Sequence, residues 1–358
     1  MKFKKLVKFD IKNFSAYKSA RSMCVQGNIW LNANESPINN KFSIINRNLN
    51  RYPESQPKNI ILKYAEYSKI NFENIFVSRG IDESIELFIK IFCKPNVDKI
   101  MYFPPTYDMY RVNAEIFEIK TIKVFTKNYN NFDYDAIKKN IKCLKLIYIC
   151  RPNNPTGDIM PKKILINILN ISFGKVLVIV DEAYIEFCYS ESIVNLIEQY
   201  PNLIVLRTMS KAFGLAGIRC GFSIAHIEII KILKKFISPY PISTLTSNFI
   251  ENFLNSNFIN FMKKTVSEVL KNKIWLYKKL QKIKFIKKVF ESFANYILIE
   301  CFSSKFVIKK MLSKGIVLRN QNNNLGLKNC VRISIGTKIE CKKLVYELKR
   351  LSYKFKYK

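Results

Sequence analysis

The sequence VLVIVDEAYIEF (residues 176–187) places a run of apolar, mostly β-branched residues directly before two acidic ones. A continuous apolar run of this length predicts a strand that is buried on both faces, as in parallel sheets. Three further runs share this character, and they are CLKLIYIC (143–150), NLIVLR (202–207) and RCGFSIA (219–225). Because amphipathic stretches separate these runs, we predict an α/β fold whose large sheet is mostly parallel.

The organisation of the chain changes after the segment SPYPIS (238–243). The next stretch has few helix breakers and predicts a long helical region over about 244–284. Shorter elements then alternate again, namely NYILIE (295–300), a helix near 303–314, IVLR (316–319) and VRISIG (331–336). This pattern predicts a large domain over 31–240 and a smaller α+β domain over 241–358. Residues 1–30 are predicted to form an N-terminal arm that belongs to the smaller domain.

Composition narrows the class of protein. The chain has 358 residues, of which 48% are hydrophobic, and no run of about 18 apolar residues that would span a membrane. The N-terminus lacks the apolar stretch of a secretory signal, and the nine cysteines form no C-x-x-C pair, so we expect a cytoplasmic protein with reduced thiols. The single histidine, His226, lies at a predicted helix start, which disfavours Ser-His-Asp catalysis and multi-histidine sites; we expect no metal.

The formal net charge of +33 suggests nucleic-acid binding as an alternative, because Lys and Arg bind phosphates. The lysines are, however, spread along the whole chain, which is typical of a solvated basic surface. We therefore expect no specific nucleic acid as a partner. The charge would still attract small anionic molecules toward a cleft. Tight nucleic-acid binding that weakens steeply with added salt would support the alternative.

The segment SKAFGLAGIRCG (210–221) follows directly after the predicted strand NLIVLR. In open α/β sheets, ligand sites gather at the carboxyl ends of strands. There Lys211 would be partly desolvated, which lowers the pKa of its amine and makes it a nucleophile toward carbonyls. Ser210 and Arg219 on either side suit a phosphate. On its own, such a pattern is more often a solvated lysine.

Two other strand ends carry polar groups. Asp181 ends the apolar run of residues 176–180, and a buried carboxylate is costly unless it meets a cation such as a protonated pyridine nitrogen. An isolated aspartate at a strand end is, however, as often a helix cap. Tyr184, three residues after Asp181, would be placed to donate a hydrogen bond to a phenolate oxygen. The string CRPNNPTG (150–157) predicts a tight loop that presents Asn154 toward the same cleft.

Two earlier segments fit the same site. VSRGIDESIELF (77–88) predicts a short strand, a turn at Gly80 and a helix whose free N–H groups would bind a phosphate, although an ordinary capped helix is also typical of the pattern. YFPPTYDMY (102–110) places Tyr107 after a Pro-Pro turn, where its ring would lie on another aromatic ring or pack in the core. A reactive lysine, an aspartate for a pyridinium, a tyrosine for a phenolate, a stacking ring and two phosphate-binding elements together indicate a pyridoxal 5′-phosphate site.

The sequence also resembles the fold-type I, aspartate-aminotransferase-like family of pyridoxal-phosphate enzymes, and within it the histidinol-phosphate aminotransferases. The resemblance runs in family order from about residue 15 to residue 350. The strings that carry it are LNANESP (31–37), RYPESQP (51–57), SRGIDESIEL (78–87), FPPTYDMY (103–110), RPNNPTG (151–157), DEAYIEF (181–187), LRTMSKAFGLAGIRCGF (206–222), SPYP (238–241), NYIL (295–298) and VRISIGT (331–337).

The resemblance implies roles for the cofactor residues. Lys211 would hold pyridoxal 5′-phosphate covalently and later move a proton, and Asp181 would keep the ring nitrogen protonated. Asn154 and Tyr184 would bond the phenolic oxygen, and Tyr107 would stack on the ring. The phosphate would be held by the remaining residues of the set, which are Ser210, Arg219 and the backbone of Ile81 and Asp82.

The resemblance further implies a homodimer that transfers an amino group from L-glutamate to imidazole acetol phosphate in histidine biosynthesis. Arg332 and Arg319 match arginines that grip the anionic ends of small-molecule substrates. Tyr52 would reach the substrate from the partner subunit, and Tyr17 and Asn34 align with substrate-side residues. Three alternatives stay open: an aromatic aminotransferase, a decarboxylase of phosphorylated amino acids on the same scaffold, and a catalytically inactive relative with a structural or regulatory role.

Overall fold

The computed structural model describes residues 27–38, 49–125 and 132–354. In this part of the chain the strands are β1 (Ile29–Leu31), β2 (Ile75–Ser78), β3 (Lys99–Tyr102), β4 (Lys120–Lys123), β5 (Leu144–Cys150), β6 (Leu177–Asp181), β7 (Leu203–Thr208), β8 (Gly221–Ala225), β9 (Ile286–Val289), β10 (Tyr296–Cys301), β11 (Ile316–Asn320) and β12 (Cys330–Ser334). The α-helices are α1 (Lys58–Ser68), α2 (Ile81–Phe92), α3 (Met109–Ile116), α4 (Tyr134–Asn140), α5 (Lys162–Ser172), α6 (Ile227–Phe236), α7 (Thr244–Phe253), α8 (Ser256–Leu280), α9 (Ser304–Leu312) and α10 (Lys338–Lys354). Short 3-10 segments lie at Phe72–Asn74, Ile185–Glu191, Val194–Leu196 and Ala216–Ile218.

The larger sheet has the strand order β2-β8-β7-β6-β5-β3-β4. Strands β7, β6, β5, β3 and β4 pair in parallel, whereas β8 runs antiparallel to both of its neighbours. Every residue of β7 is buried, and all but one residue of β5 and of β6 are buried. The prediction of an α/β fold with a mostly parallel large sheet is therefore confirmed. The carboxyl ends of β5, β6 and β7 lie side by side at one edge, which is where ligand sites form in such sheets.

The smaller sheet has the strand order β1-β11-β12-β10-β9. β1 pairs in parallel with β11, and the other pairs are antiparallel. Helices α8 and α9 pack against this sheet, and α10 packs against both of these helices. The short strand β1, which includes the last two residues of the predicted N-terminal arm, thus pairs the end of the arm with the C-terminal half of the chain, while residues 1–26 lie outside the described residues.

The predicted long helical region over about 244–284 is confirmed, but it is not a single helix. The chain instead forms α7 and α8, with Leu254 and Asn255 between them, and α8 ends at Leu280. Asn255 has an extended backbone, and its side chain accepts a hydrogen bond from the Phe258 N–H at 3.0 Å. An asparagine at this position starts a new helix because its side chain satisfies an N–H group that has no partner within the helix.

A buried ion-pair cluster supports the segment that follows β6. Arg207 donates from Nε to Glu182 Oε2 at 2.7 Å, and its Nη1 lies 3.4 Å from Glu186 Oε1. Glu182 also accepts hydrogen bonds from the Ser192 hydroxyl and from the Ile193 N–H. Burial raises the pKa of Glu186 to about 7, and Arg207 opposes this shift. The cluster fixes the turn that begins at the end of β6, because unpaired charges at these depths would be costly.

The helix start predicted at His226 is present in the structure. His226 precedes α6, and its Nδ1 accepts a hydrogen bond from the Glu228 N–H, so the predicted helix start is confirmed. The cysteines in the described ranges are free thiols. Within those ranges, no helix combines the length and the apolar character needed to cross a membrane.

The start of α2 packs unusually closely on β8. The apolar face of α2 is formed by Ile81, Ile85, Phe88 and Ile89, whose helical spacing buries them together. A Cβ atom added at Gly221 would lie 2.8 Å from the Gly80 carbonyl carbon and 2.9 Å from the Ile81 nitrogen. Both neighbours are backbone atoms, so only glycine lets the first turn of α2 approach the strand to this distance.

We predict that Gly221→Ala lowers the free energy of unfolding by about 1–3 kcal/mol, because the added methyl group overpacks a backbone contact that cannot move aside cheaply. Gly217→Ala is the matched control, since nothing lies within 4 Å of a Cβ atom built there. Its effect should stay within about 0.5 kcal/mol. Urea unfolding of the two variants measures both values, and equal midpoints for the two would contradict the close approach.

Candidate functional site

A cavity of about 690 Å³ opens at the carboxyl edge of the large sheet, and residues of both sheets line it. The residues predicted from the sequence that line this cavity are Asn34, Ile81, Asp82, Tyr107, Asn154, Asp181, Tyr184, Ser210, Lys211, Arg219, Arg319 and Arg332. Two predicted residues are not among them. Tyr17 lies outside the described residues, and Tyr52 is 81% exposed with its ring stacked on Tyr240.

Asp181 is the last residue of β6 and is buried. The Tyr110 hydroxyl donates to its Oδ2 at 2.9 Å, and the Ala183 N–H donates to its Oδ1 at 3.0 Å. Burial raises the pKa of Asp181 to about 6, and these two hydrogen bonds oppose the shift. The carboxylate is therefore held in one orientation in a dry environment, where it would bind a cation strongly.

Lys211 lies three residues beyond the end of β7. Its Nζ donates to the Ala33 carbonyl oxygen at 2.9 Å and lies 5.9 Å from the centre of the Tyr184 ring. Burial lowers the pKa of Lys211 to about 8, and the Arg332 guanidinium acts in the same direction. A substantial fraction of this amine is neutral near physiological pH, which is the form that attacks carbonyl groups.

One end of the cavity offers donors for an anion. The turn before α2 has Gly80 at φ +86°, so the free N–H groups of the first helical turn face the space beside Arg219. Ser210 is buried, and its hydroxyl accepts a hydrogen bond from Thr208 at 3.0 Å. The Asp82 carboxylate accepts from the Tyr107 hydroxyl at 2.8 Å and lies 3.8 Å from Arg219 Nη2. The Tyr107 ring is thereby tied to the start of α2.

The other end of the cavity holds two arginines. Arg319 on β11 and Arg332 on β12 are directly paired across the antiparallel strands, so their side chains share one face of the sheet. Arg332 donates to the Asn154 side-chain oxygen and to the Asn32 carbonyl oxygen. Its Nε is buried and has no hydrogen-bond partner among the described residues. A guanidinium held in this way is suited to a bidentate contact with a carboxylate or a phosphate.

The segment LNANE (31–35) crosses the cavity between the two sheets. Asn34 has a left-handed backbone (φ 54°), and its N–H donates to the Ser334 hydroxyl at 2.8 Å. Its side-chain amide donates to the Tyr184 hydroxyl at 3.1 Å, and its carbonyl accepts from Asn295 at 3.0 Å. These bonds fix the segment to β12, to the residue before β10 and to the turn that follows β6, and they hold Tyr184 in place.

Sequence reasoning missed several groups that hold the site together. Tyr110 donates to Asp181, and the Ala33 carbonyl accepts from Lys211. Tyr110 stands three residues after Tyr107 in the same quoted string, but Tyr107 precedes α3, so helical spacing does not relate the two rings. A backbone carbonyl such as that of Ala33 leaves no signal in a sequence. Glu35 also lines the cavity and was not singled out.

Comparison with protein families gives one match over most of the chain. A family model described as aminotransferase class I and II matches residues 27–348. This range includes both sheets and the residues that line the cavity within the described part of the chain.

The chain is also similar to individual proteins over nearly its full length. A histidinol-phosphate aminotransferase of Buchnera aphidicola subsp. Schizaphis graminum is 51% identical over 347 residues, covering 96% of this chain and 98% of that protein. One of Buchnera aphidicola subsp. Diuraphis noxia is 48% identical over 353 residues, covering 98% and 97%. The crystal structure of the histidinol-phosphate aminotransferase from Clostridium acetobutylicum matches with a TM-score of 0.81 and 27% identity, covering 91% of this chain and 100% of that one.

Proposed function

Because the chain belongs to the class I and II aminotransferase family, we propose that it transfers an amino group from L-glutamate to imidazole acetol phosphate. The products would be 2-oxoglutarate and L-histidinol phosphate, a step of histidine biosynthesis. Relatives about half identical to the chain bear the name histidinol-phosphate aminotransferase, which supports this choice of substrates. The observation that carries the proposal is that Lys211, Asp181 and the pair Arg319 and Arg332 line a single cavity.

The groups of the cavity fit pyridoxal 5′-phosphate. Asp181 offers a buried carboxylate to a ring nitrogen, and the start of α2 with Ser210 and Arg219 offers donors to a phosphate. A Cβ atom at Gly80 would lie 2.8 Å from Arg219 Nη2, so glycine keeps the space between the helix start and the guanidinium open. The Lys211 amine, with its lowered pKa, is the group that would hold the cofactor covalently.

The remaining contacts to the cofactor follow from the same placement. Asn154 and Tyr184 would bond its phenolic oxygen, because both side chains reach the cavity near Arg332 and Asn34. Tyr107 would lie on the ring, held by its hydroxyl bond to Asp82. The N–H groups of Ile81 and Asp82 would face the phosphate, where the helix dipole favours negative charge.

Pyridoxal 5′-phosphate, when bound, supplies a carbonyl carbon that takes up amino groups and a ring that withdraws electrons from the carbon that loses a proton. Asp181 keeps the ring nitrogen protonated, because the buried carboxylate gains more from a charged partner than from a neutral one. Lys211 moves the proton at its Nζ, since a pKa of about 8 lets the amine both accept and return a proton near neutral pH.

Arg319 and Arg332 bind the anionic ends of the two substrates in turn. L-glutamate presents a carboxylate there and imidazole acetol phosphate presents a phosphate, and a planar guanidinium can bond either in a bidentate way. Asn34, fixed between the two sheets, would line the substrate side of the cavity.

We predict that the purified protein with pyridoxal 5′-phosphate turns over L-glutamate and imidazole acetol phosphate, and that Lys211→Ala lowers this rate at least about 1,000-fold without changing the fold. Lys273 provides the matched control. Burial also lowers the pKa of Lys273 to about 8, but its amine donates to the carbonyls of Ser292 and Ala294 instead of lining the cavity. A single-turnover assay measures the rate of amino transfer, and circular dichroism shows whether each variant is folded.

Lys273→Met should keep turnover within a few-fold of the unsubstituted protein wherever the variant is folded. A Lys211→Ala protein with normal rates would refute the assigned nucleophile. Release of carbon dioxide in place of amino transfer would instead identify a decarboxylase, and turnover of aromatic amino acids alone would identify an aromatic aminotransferase.

We further propose a homodimer in which Tyr52 completes the substrate site of the partner subunit. Tyr52 is 81% exposed, and its ring stacks on the exposed ring of Tyr240 with centroids 4.3 Å apart. Neither ring lines the cavity of its own chain. Two stacked aromatic rings at the surface are typical of a protein interface. The role of Tyr17 and the cytoplasmic location stay predictions from the sequence.

We predict that Tyr52→Ala and Lys211→Ala proteins, each nearly inactive alone, regain about a quarter of the normal activity after unfolding and refolding as an equal mixture. In a two-fold symmetric dimer, half of the mixed population is heterodimeric, and each heterodimer has one intact site. The kinetic assay is performed on the mixture and on each variant refolded alone. Activity no greater than the sum of the separate variants would contradict the shared site.

A further inference from the structure

Glu35 differs from the other carboxylates of the cavity. The acidic residues that line it are Glu35, Asp82, Asp108 and Asp181. Asp181 accepts from Tyr110, Asp82 accepts from Tyr107, and Asp108 pairs with Arg111 at 2.7 Å. The Glu35 carboxylate has no hydrogen bond or ion pair with any residue in the described ranges 27–38, 49–125 and 132–354.

The position of Glu35 is fixed by its neighbours in the chain. Asn34 is bonded to Ser334, Tyr184 and Asn295, and the Ala33 carbonyl accepts from Lys211. The backbone that precedes Glu35 is therefore tied to β12 of the smaller sheet and to the segments that follow β6 and β7. The point from which the Glu35 side chain extends into the cavity is thereby fixed.

The charge of Glu35 opposes that of its surroundings. Lys211, Arg319 and Arg332 line the same cavity, and the negative charge of Glu35 acts on Lys211 in the opposite sense to Arg332. An anionic substrate gains from the arginines but is repelled by a carboxylate. A carboxylate in this place is favourable when the substrate carries, besides its anionic end, a group with an N–H donor or a positive charge.

We propose that Glu35 is a specificity-determining residue that accepts a hydrogen bond from a ring N–H of the substrate, so that the cavity prefers an imidazole ring to a phenyl ring of similar size. The inference rests on the proposed function. Imidazole carries an N–H in every protonation state at neutral pH and below, and its ordinary pKa of about 6.5 gives it a partial positive charge there. A phenyl ring has neither, and it would leave the Glu35 carboxylate facing an apolar edge. L-glutamate has no ring and makes no use of the residue.

The test compares L-histidinol phosphate with L-phenylalaninol phosphate, which has the same phosphate and amine but a phenyl ring, as amino donors to 2-oxoglutarate. We expect Glu35→Leu to lower kcat/KM for histidinol phosphate about 10-fold to 100-fold, which is the worth of a hydrogen bond to a charged group. The values for phenylalaninol phosphate and for the half-reaction with L-glutamate should change by no more than about three-fold. Glu35→Gln keeps an acceptor without the charge, so its kcat/KM for histidinol phosphate should lie between those of the unsubstituted protein and of Glu35→Leu. Glu268→Leu, which removes an exposed carboxylate on α8, should leave kcat/KM unchanged for both histidinol phosphate and phenylalaninol phosphate.

Binding without turnover gives a second readout. In the Lys211→Ala protein, calorimetric titration with L-histidinol phosphate should show the same 10-fold to 100-fold weakening when Glu35→Leu is added, whereas L-phenylalaninol phosphate should bind both proteins alike. A folded Glu35→Leu protein that keeps its preference for the imidazole substrate would overturn the inference. So would an equal loss with both phosphates, since Glu35 would then act through Lys211. If the unsubstituted protein fails to use histidinol phosphate at all, the proposed function itself fails, and this inference falls with it.

Discussion

Burial of the Asp181 carboxylate at the end of β6 is the constraint on which the rest of the site depends. Removing a carboxylate from water costs several kcal/mol unless a cation or hydrogen bonds replace the solvent. Hydrogen bonds from Tyr110 and from the Ala183 N–H replace part of the lost solvent, yet the pKa of Asp181 is still raised to about 6. The pKa of Lys211 is shifted in the opposite direction, and burial is the largest cause in both cases. One dry cavity thus disfavours the charge on an acid and on an amine together, and the cationic ring of the proposed cofactor would relieve the first of these costs.

The fold brings these groups together through three close contacts between backbone segments. Parallel strands place the ends of β5, β6 and β7 side by side, so Cys150 pairs with Asp181 and Asp181 with Leu206. Gly221 lets the start of α2 approach β8, which brings the first N–H groups of the helix to the same edge. The segment around Asn34 then joins this edge to the smaller sheet, where Arg319 and Arg332 lie. Each contact is needed because each supplies one part of the cavity lining.

Much of this arrangement follows from the sequence, since strand ends carry their own signals. The apolar runs before Asp181 and before Ser210 define β6 and β7 within a residue or two, and the sheet topology then places the two ends together. The family resemblance assigned Arg319 and Arg332 to substrate, but their pairing across two strands required the register. Local patterns predicted the helical region over about 244–284 but not its division into two helices, which depends on Asn255 capping the start of α8.

Groups that act through tertiary contacts lie beyond the reach of sequence reasoning. Nothing in the string FPPTYDMY says that the hydroxyl of Tyr110, and not that of Tyr107, reaches Asp181. The Ala33 carbonyl is equivalent in sequence to every other backbone carbonyl, yet it holds the Lys211 amine. Glu35 stands out only after the partners of the neighbouring carboxylates are known. These assignments depend on distances between residues that lie far apart in the chain.

The most direct test of the account is to find the lysine that binds the cofactor. The protein is incubated with pyridoxal 5′-phosphate, treated with borohydride to make the link permanent, digested and examined by peptide mass spectrometry. Lys211 and Lys273 are both partly buried lysines whose pKa is lowered to about 8, but of these two only Lys211 shares its cavity with Asp181. The account predicts that the added mass of the cofactor lies on Lys211. A modification found on Lys273, or spread over surface lysines with none on Lys211, would contradict it.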